Sequence, residues 1–140
     1  MPESSVRTSL TGVAEAGLID EVHSKLAWLW ANVEGATIDD RELFELAVGE
    51  VAANVVEHGR GRPPVEITVT LEASSTALTA IFADNADPAV VDLSGVSMPD
   101  VDAESGRGLA LALLALDELV HETGPGNTWR LVRHLGVDRG

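Results

Sequence analysis

Stretches whose apolar residues recur every three or four positions alternate, along this chain, with stretches where they recur every second one. Leu18, Val22, Leu26, Leu29 and Val33 fall on one stripe, which predicts a helix over Leu18–Val33. Thr37 followed by Asp40 reads as a capping box, and Asp39 and Glu42 add negative charge to that first turn. The helix it opens is predicted to run to about Glu57 and stop at Gly59, a residue suited to the position just past a helix end. Val65, Ile67, Val69 and Leu71 alternate with Glu66, Thr68 and Thr70, the pattern of a half-buried strand. A turn near Ala73–Ser75 leads to a second strand over Leu78–Ala83, and Arg7–Leu10 reads as a short first strand. Residues 85–105 hold Pro88, Gly95 and Pro99 without a sustained period. Loops of that length inside compact domains serve as lids or are disordered. Ser105 is placed as the cap of a helix over Arg107–Val120, apolar nearly all round and hence expected to be buried. Strands at His121–Thr123 and Thr128–Leu135, around a turn at Gly124–Gly126, complete the order. A helical half followed by strands, with one helix crossing between them, predicts an α+β two-layer sandwich.

Length and charge narrow the function. The 140 residues suit one domain over 1–140, because domains usually run to about 100–150 residues. With no cysteine, the chain has no disulfide, thiolate metal site or cysteine nucleophile. The longest apolar run, Leu109–Leu116, is far short of the ~20 residues of a membrane span, so no membrane partner is expected. Met1–Ser9 has no basic segment leading into an apolar one, and a cytoplasmic location is expected. Acidic residues number 23 against nine basic ones, a net charge of −14. Such a field repels nucleic acid, whose binding depends on clustered Lys and Arg. A phosphate-bearing small ligand stays open, provided a metal ion and backbone N–H groups meet its charge.

Three polar groups interrupt the apolar pattern. Within the Leu43–Val56 stretch and just beyond, Glu50, Asn54 and His58 recur every fourth residue, which puts them on one helix face about 6 Å apart. A carboxylate and an amide oxygen one turn apart can hold a hard cation or orient a water. The same stripe also fits a solvated edge. Asp84-Asn85-Ala86-Asp87-Pro88 ends a strand with a carboxylate able to accept from an exocyclic amine, although these are also turn formers. Glu104-Ser105-Gly106-Arg107-Gly108-Leu109 offers close backbone approach and helix-start N–H groups for phosphate, with Arg107 adding positive charge. A hinge and cap would look the same. His23, His121 and His134 have no ligand spacing and read as ordinary.

Taken in order, Glu50-x-x-x-Asn54-x-x-x-His58-Gly59, Asp84 after a hairpin, and Gly106-Arg107-Gly108-Leu109 resemble the N, G1 and G2 boxes of the GHKL ATPases. That family includes gyrase, histidine kinases, a heat-shock chaperone and mismatch-repair proteins. Glu45-Leu46-Ala47-Val48-Gly49-Glu50-Val51-Ala52-Ala53-Asn54 and the ending Gly126-Asn127-Thr128-Trp129-Arg130-Leu131 resemble the anti-sigma serine-kinase branch. The resemblance spans about Leu18 to Leu135 and implies a mixed sheet with helices on one face. It implies ATP and Mg²⁺ as cofactors, with Glu50 orienting or activating the attacking hydroxyl and Asn54 holding Mg²⁺. Asp84 would receive the adenine amine beside Ala86, and Gly106, Arg107, Gly108 and Leu109 would wrap the phosphates as part of a lid. His58 and Thr128 complete the nucleotide-binding set. The implied partners are a sigma factor and a small antagonist protein that the kinase phosphorylates, with a homodimer as a further option and Trp28 as a candidate anchor.

The G1 box is commonly Asp-x-Gly-x-Gly, and here Ala86 and Asp87 depart from it. The lid is also acidic, with Asp92, Asp100, Asp102 and Glu104. These departures favour a non-catalytic module of the same fold that sequesters its partner, whereas the intact Glu50 and Asn54 favour a kinase. A stray histidine-kinase catalytic domain is a third option, weakened by the missing phosphoacceptor region.

Overall fold

A computed structural model describes residues 5–59, 64–86 and 104–136 of the chain. The elements are β1 (Val6–Val13), α1 (Ala16–Asn32), α2 (Ile38–Gly59), β2 (Glu66–Ala73), β3 (Ala77–Asp84), α3 (Glu104–Ala115), β4 (Glu118–Thr123) and β5 (Asn127–His134). Apart from α3 and β4, they match the apolar periodicity to within a few residues. The expected loop over 85–105 falls largely in 87–103, outside the described residues.

The strands form one sheet in the order β1-β2-β3-β5-β4, and every neighbouring pair is antiparallel. The expectation of a mixed sheet is therefore corrected. The reason is topological. β3 and β4 run in the same sense, as a single crossover helix requires, but β5 folds back between them and no parallel pair forms.

The three described helices lie on one face of the sheet. Ile67, Val69, Leu71, Leu78, Ala80, Phe82, Trp129 and Leu131 point inward from alternate strand positions. They meet Leu18, Val22, Leu26 and Leu29 of α1, at the spacing predicted, and Phe44, Val48 and Val51 of α2. Trp28 lies off this stripe and is 46% exposed. Trp30 borders it, donating from Nε1 to Glu45 Oε1 at 2.9 Å and meeting Phe44 edge-on. No helix among the described residues is long and apolar enough to cross a membrane.

The capping box is present. Thr37 Oγ1 accepts from the Asp40 N–H at 3.0 Å and donates to Asp40 Oδ2 at 2.9 Å, while the Thr37 N–H reaches the same oxygen at 3.3 Å. Asp40 Oδ1 accepts from Arg133 Nε at 2.9 Å, and Arg133 Nη1 donates to the Ala115 carbonyl at 2.8 Å. Arg133 thus ties the start of α2 and the end of α3 to β5, with only 6% of its own side chain and 10% of that of Asp40 exposed. Burial works against the charge on Asp40, but the Thr37 hydroxyl, Arg133 and the Thr37 N–H outweigh it and hold the carboxyl below its ordinary value.

The third helix departs from expectation at both ends. It opens at Glu104 and stops at Ala115, so Leu116–Val120 is not helical. Asp117 draws the chain away: its N–H donates to the Val132 carbonyl at 2.8 Å and its carboxylate accepts from the His134 N–H at 2.6 Å. Residues 118–123 can then pair with β5. Nor is α3 buried all round, because Leu114 is 75% exposed.

Candidate functional site

The stripe of α2 emerges where that helix meets α3. Glu50 and Asn54 are half-buried, one turn apart. Neither the carboxylate nor the amide has a hydrogen-bond or ion-pair partner among the described residues. Half-buried oxygen acceptors left open in this way are still reached by solvent. They suit a face that receives something. His58 sits in the last turn of α2, with its side chain outside the described set.

Gly108 explains one glycine of the G2 box. A Cβ there would overlap Glu50 Oε2 and lie 3.3 Å from Glu50 Cδ, so any side chain at this position would push the carboxylate aside. Because α3 opens at Glu104, Gly106, Arg107 and Gly108 lie inside its first turns and not ahead of them. The first four N–H groups of a helix have no partner within it, and they attract anions. Leu109 is buried at 7% exposure.

A second group forms at the end of β3. Asp84 Oδ1 accepts from the Ala86 N–H at 3.0 Å, the Asn127 N–H at 3.3 Å and Asn127 Nδ2 at 3.1 Å. Its Oδ2 has no hydrogen-bond partner among the described residues. Asn85 clasps the hairpin, donating its N–H to the Glu66 carbonyl at 3.2 Å and accepting from the Glu66 N–H at 2.9 Å. Gly126 is pressed on this turn: a Cβ there would overlap the Asp84 carbonyl oxygen and lie 3.0 Å from Asn85 Cα. Ala86, the departure from the expected glycine, is 6% exposed and belongs to the apolar cluster. Asp87 lies outside the described residues.

Two residues of this group escape the motif reading, which passes over Asn127 and takes His121 as ordinary. Asn127 is 3% exposed, and its Oδ1 meets His121 Nε2 at 3.0 Å. The signal was strand parity. Trp129 and Leu131 face inward, so Asn127 must as well, and Thr128 must face the other way. Thr128 is indeed exposed, at the rim of an open depression of about 360 Å³ that Asp84, Asn85, Glu122 and the Thr123–Gly126 turn also line.

The fold therefore brings Glu50 against Gly108, and Asp84 against Ala86, Gly126 and Asn127. No contact described joins the two groups to each other. No set of three or more His, Asp or Glu side chains among the described residues could hold a metal unaided. One amide oxygen beside one carboxylate does fit Mg²⁺, which keeps most of its waters and takes its other ligands from substrate phosphates.

Among curated proteins none matches the chain. Its fold superposes on the crystal structure of the RsbU and RsbW domains of Rv1364c from Mycobacterium tuberculosis, with a TM-score of 0.65 at 21% identity. That match covers 93% of this chain and 32% of the other, so the chain spans about a third of the length of the chain it matches. Residues 13–133 match the family model of the histidine kinase-like ATPase domain, and the chain belongs to that family.

Proposed function

We propose that the protein is an ATP- and Mg²⁺-dependent serine kinase of the anti-sigma type, which binds a sigma factor and phosphorylates a small antagonist protein in the cytoplasm. The observation that carries this reading is the pair of open oxygen groups on α2, Glu50 and Asn54, with the G2 glycine Gly108 packed on the first. Glu50 accepts a hydrogen bond from the substrate serine hydroxyl and takes its proton as the serine oxygen bonds to the γ-phosphorus. The bond from that phosphorus to the bridging oxygen breaks, and ADP leaves. Asn54 would hold Mg²⁺, which neutralises charge on the phosphates when bound. Asp84 Oδ2 accepts from the adenine amine. The N–H groups at the start of α3 would meet the phosphates, and Arg107 would add positive charge.

The non-catalytic module is retained as a second reading because of Ala86 and Asp87 and the net charge of −14, none of which helps a triphosphate bind. Calorimetric titration with ATP and Mg²⁺ separates the two. Binding is expected, and its absence at millimolar ATP leaves the module. Glu50→Ala should then abolish phosphoryl transfer while leaving nucleotide affinity within a few-fold, since its part is played in the transition state. Asn54→Ala should weaken both. Equal loss of binding in the two variants would remove Glu50 from the role of base.

A further inference from the structure

Glu50 has no hydrogen-bond or ion-pair partner among the described residues, so its carboxylate is placed by packing, and Gly108 of α3 is a neighbour it rests against. Where α3 sits along α2 therefore decides where the carboxylate sits. The seam between the helices does little to fix that. Gly108, Ala112 and Ala115 follow one another at four and three residues, on one buried face of α3, and Ala47 lies buried three residues before Glu50 on α2. Such short groups let two helices close up along their length. They offer no large knob to stop one helix from sliding along the other.

The stop lies at the far end of the seam. α3 has no basic residue in its own last turn, and Arg133 reaches in from β5 instead. Its Nη1 donates to the Ala115 carbonyl at 2.8 Å while its Nε donates to Asp40 Oδ1 at 2.9 Å. One planar guanidinium thus holds the last turn of α3 and the first turn of α2 at a fixed offset. By the rise of a helix, Ala115 is about 10 Å along α3 from Gly108, and Asp40 is about 15 Å along α2 from Glu50. Both helices are unbroken over those lengths, so an offset set at one end is carried to the other. We propose that Arg133 is a positioning residue for phosphoryl transfer: it sets the register of α3 on α2, and through Gly108 the place of the Glu50 carboxylate. The link to chemistry rests on the reading of Glu50 as the base.

The test uses the full chain with two replacements chosen to spare the fold. Arg133→Met combined with Asp40→Asn removes the fork without stranding a charge. Arg133→Lys keeps a charge beside Asp40, but its one nitrogen cannot stand in the places of both Nε and Nη1. The chain has no cysteine of its own. Nitroxide labels on cysteines put at Ala53 of α2 and Leu114 of α3, both exposed, read the offset by pulsed dipolar spectroscopy without nucleotide. Wild type should give one narrow spacing, and both variants one displaced or broadened by about 1–2 Å. Mg·ATP hydrolysis, with water in place of the serine, should fall in both by about tenfold to a hundredfold. Calorimetric affinity for Mg·ATP should change by less than about threefold, since Asn54 and Asp84 keep their places. Wild-type spacings in variants that keep the wild-type circular dichroism overturn the proposal. Displaced labels with undiminished hydrolysis, or with affinity lost in step with it, overturn the link to Glu50. A wild type that fails to bind or to hydrolyse Mg·ATP removes the kinase reading and that link together, and the labels alone then decide whether Arg133 sets the register.

Discussion

Replacing Arg133 with methionine keeps the apolar stem and volume but removes the guanidinium that joins three elements. Two hydrogen bonds vanish, to Asp40 Oδ1 and to the Ala115 carbonyl at the end of α3. Asp40 then stays charged and buried with only Thr37 to support it. Removing one partner of a buried ion pair costs about 3–5 kcal/mol, against a total stability of about 5–15 kcal/mol for a domain. With a urea slope of about 1–3 kcal/mol per molar, the midpoint should fall by about 2 M, followed by the fluorescence of Trp129 and Trp30. Asp40→Asn in the same chain removes the stranded charge, so the double variant should lose less than the sum of the single ones, with a coupling of about 1–3 kcal/mol. The acid limb has a definite sign. The folded Asp40 carboxyl lies below its ordinary value of 3.8, so its contribution is complete above that pH and fades as the pH falls through the folded value. Wild type and Arg133→Met should therefore converge in acid. A midpoint shift under about 0.5 M with additive single effects would mean that solvent screens this pair, and the argument from burial would be refuted.

Three further outcomes rest on the same geometry. Gly108→Ala should leave the urea midpoint equal or higher, since alanine gains up to about 1 kcal/mol in a helix and the overlapped atom is the movable end of Glu50. Phosphoryl transfer should nonetheless drop by about a hundredfold as that carboxylate is displaced, and retained activity would detach Glu50 from the chemistry. Gly126→Ala meets backbone instead, with the Asp84 carbonyl carbon 2.8 Å from the new Cβ. It should lower stability by about 1–3 kcal/mol and weaken ATP binding, which melting and titration together will read. Thr37→Ala should lose about 2 kcal/mol, at the upper end for a cap, because Thr37 also supports the buried Asp40; a loss of only a few tenths in urea would rule that support out.

Local pattern made much of this fold legible. The alternation at Val65–Leu71, the stripe of α1 and the Thr37–Asp40 box each depend on neighbours in sequence, and each is present as read. The end of α3 was not legible, because Leu116–Val120 is apolar enough for helix or strand and the choice is made by bonds from Asp117 to β5, far along the chain. The antiparallel sheet was missed for a related reason: nothing local says that β5 enters between β3 and β4. At the site, the motif spacing marked Glu50, Asn54, Asp84 and Gly108. Asn127 and His121 became visible only when three strands were placed side by side.

The position of β5 also bears on how the molecule is made. The last described strand in chain order is an interior one, flanked by β3 on one side and β4 on the other. Until residues 127–134 emerge, the sheet ends at an unpaired β3 edge and β4 has no neighbour. Helices and the β1-β2-β3 sheet can form early, but completion waits for the whole chain and for long-range closure, the slow kind of step. A nascent or C-terminally clipped chain would present an open strand edge, a template for pairing with other copies.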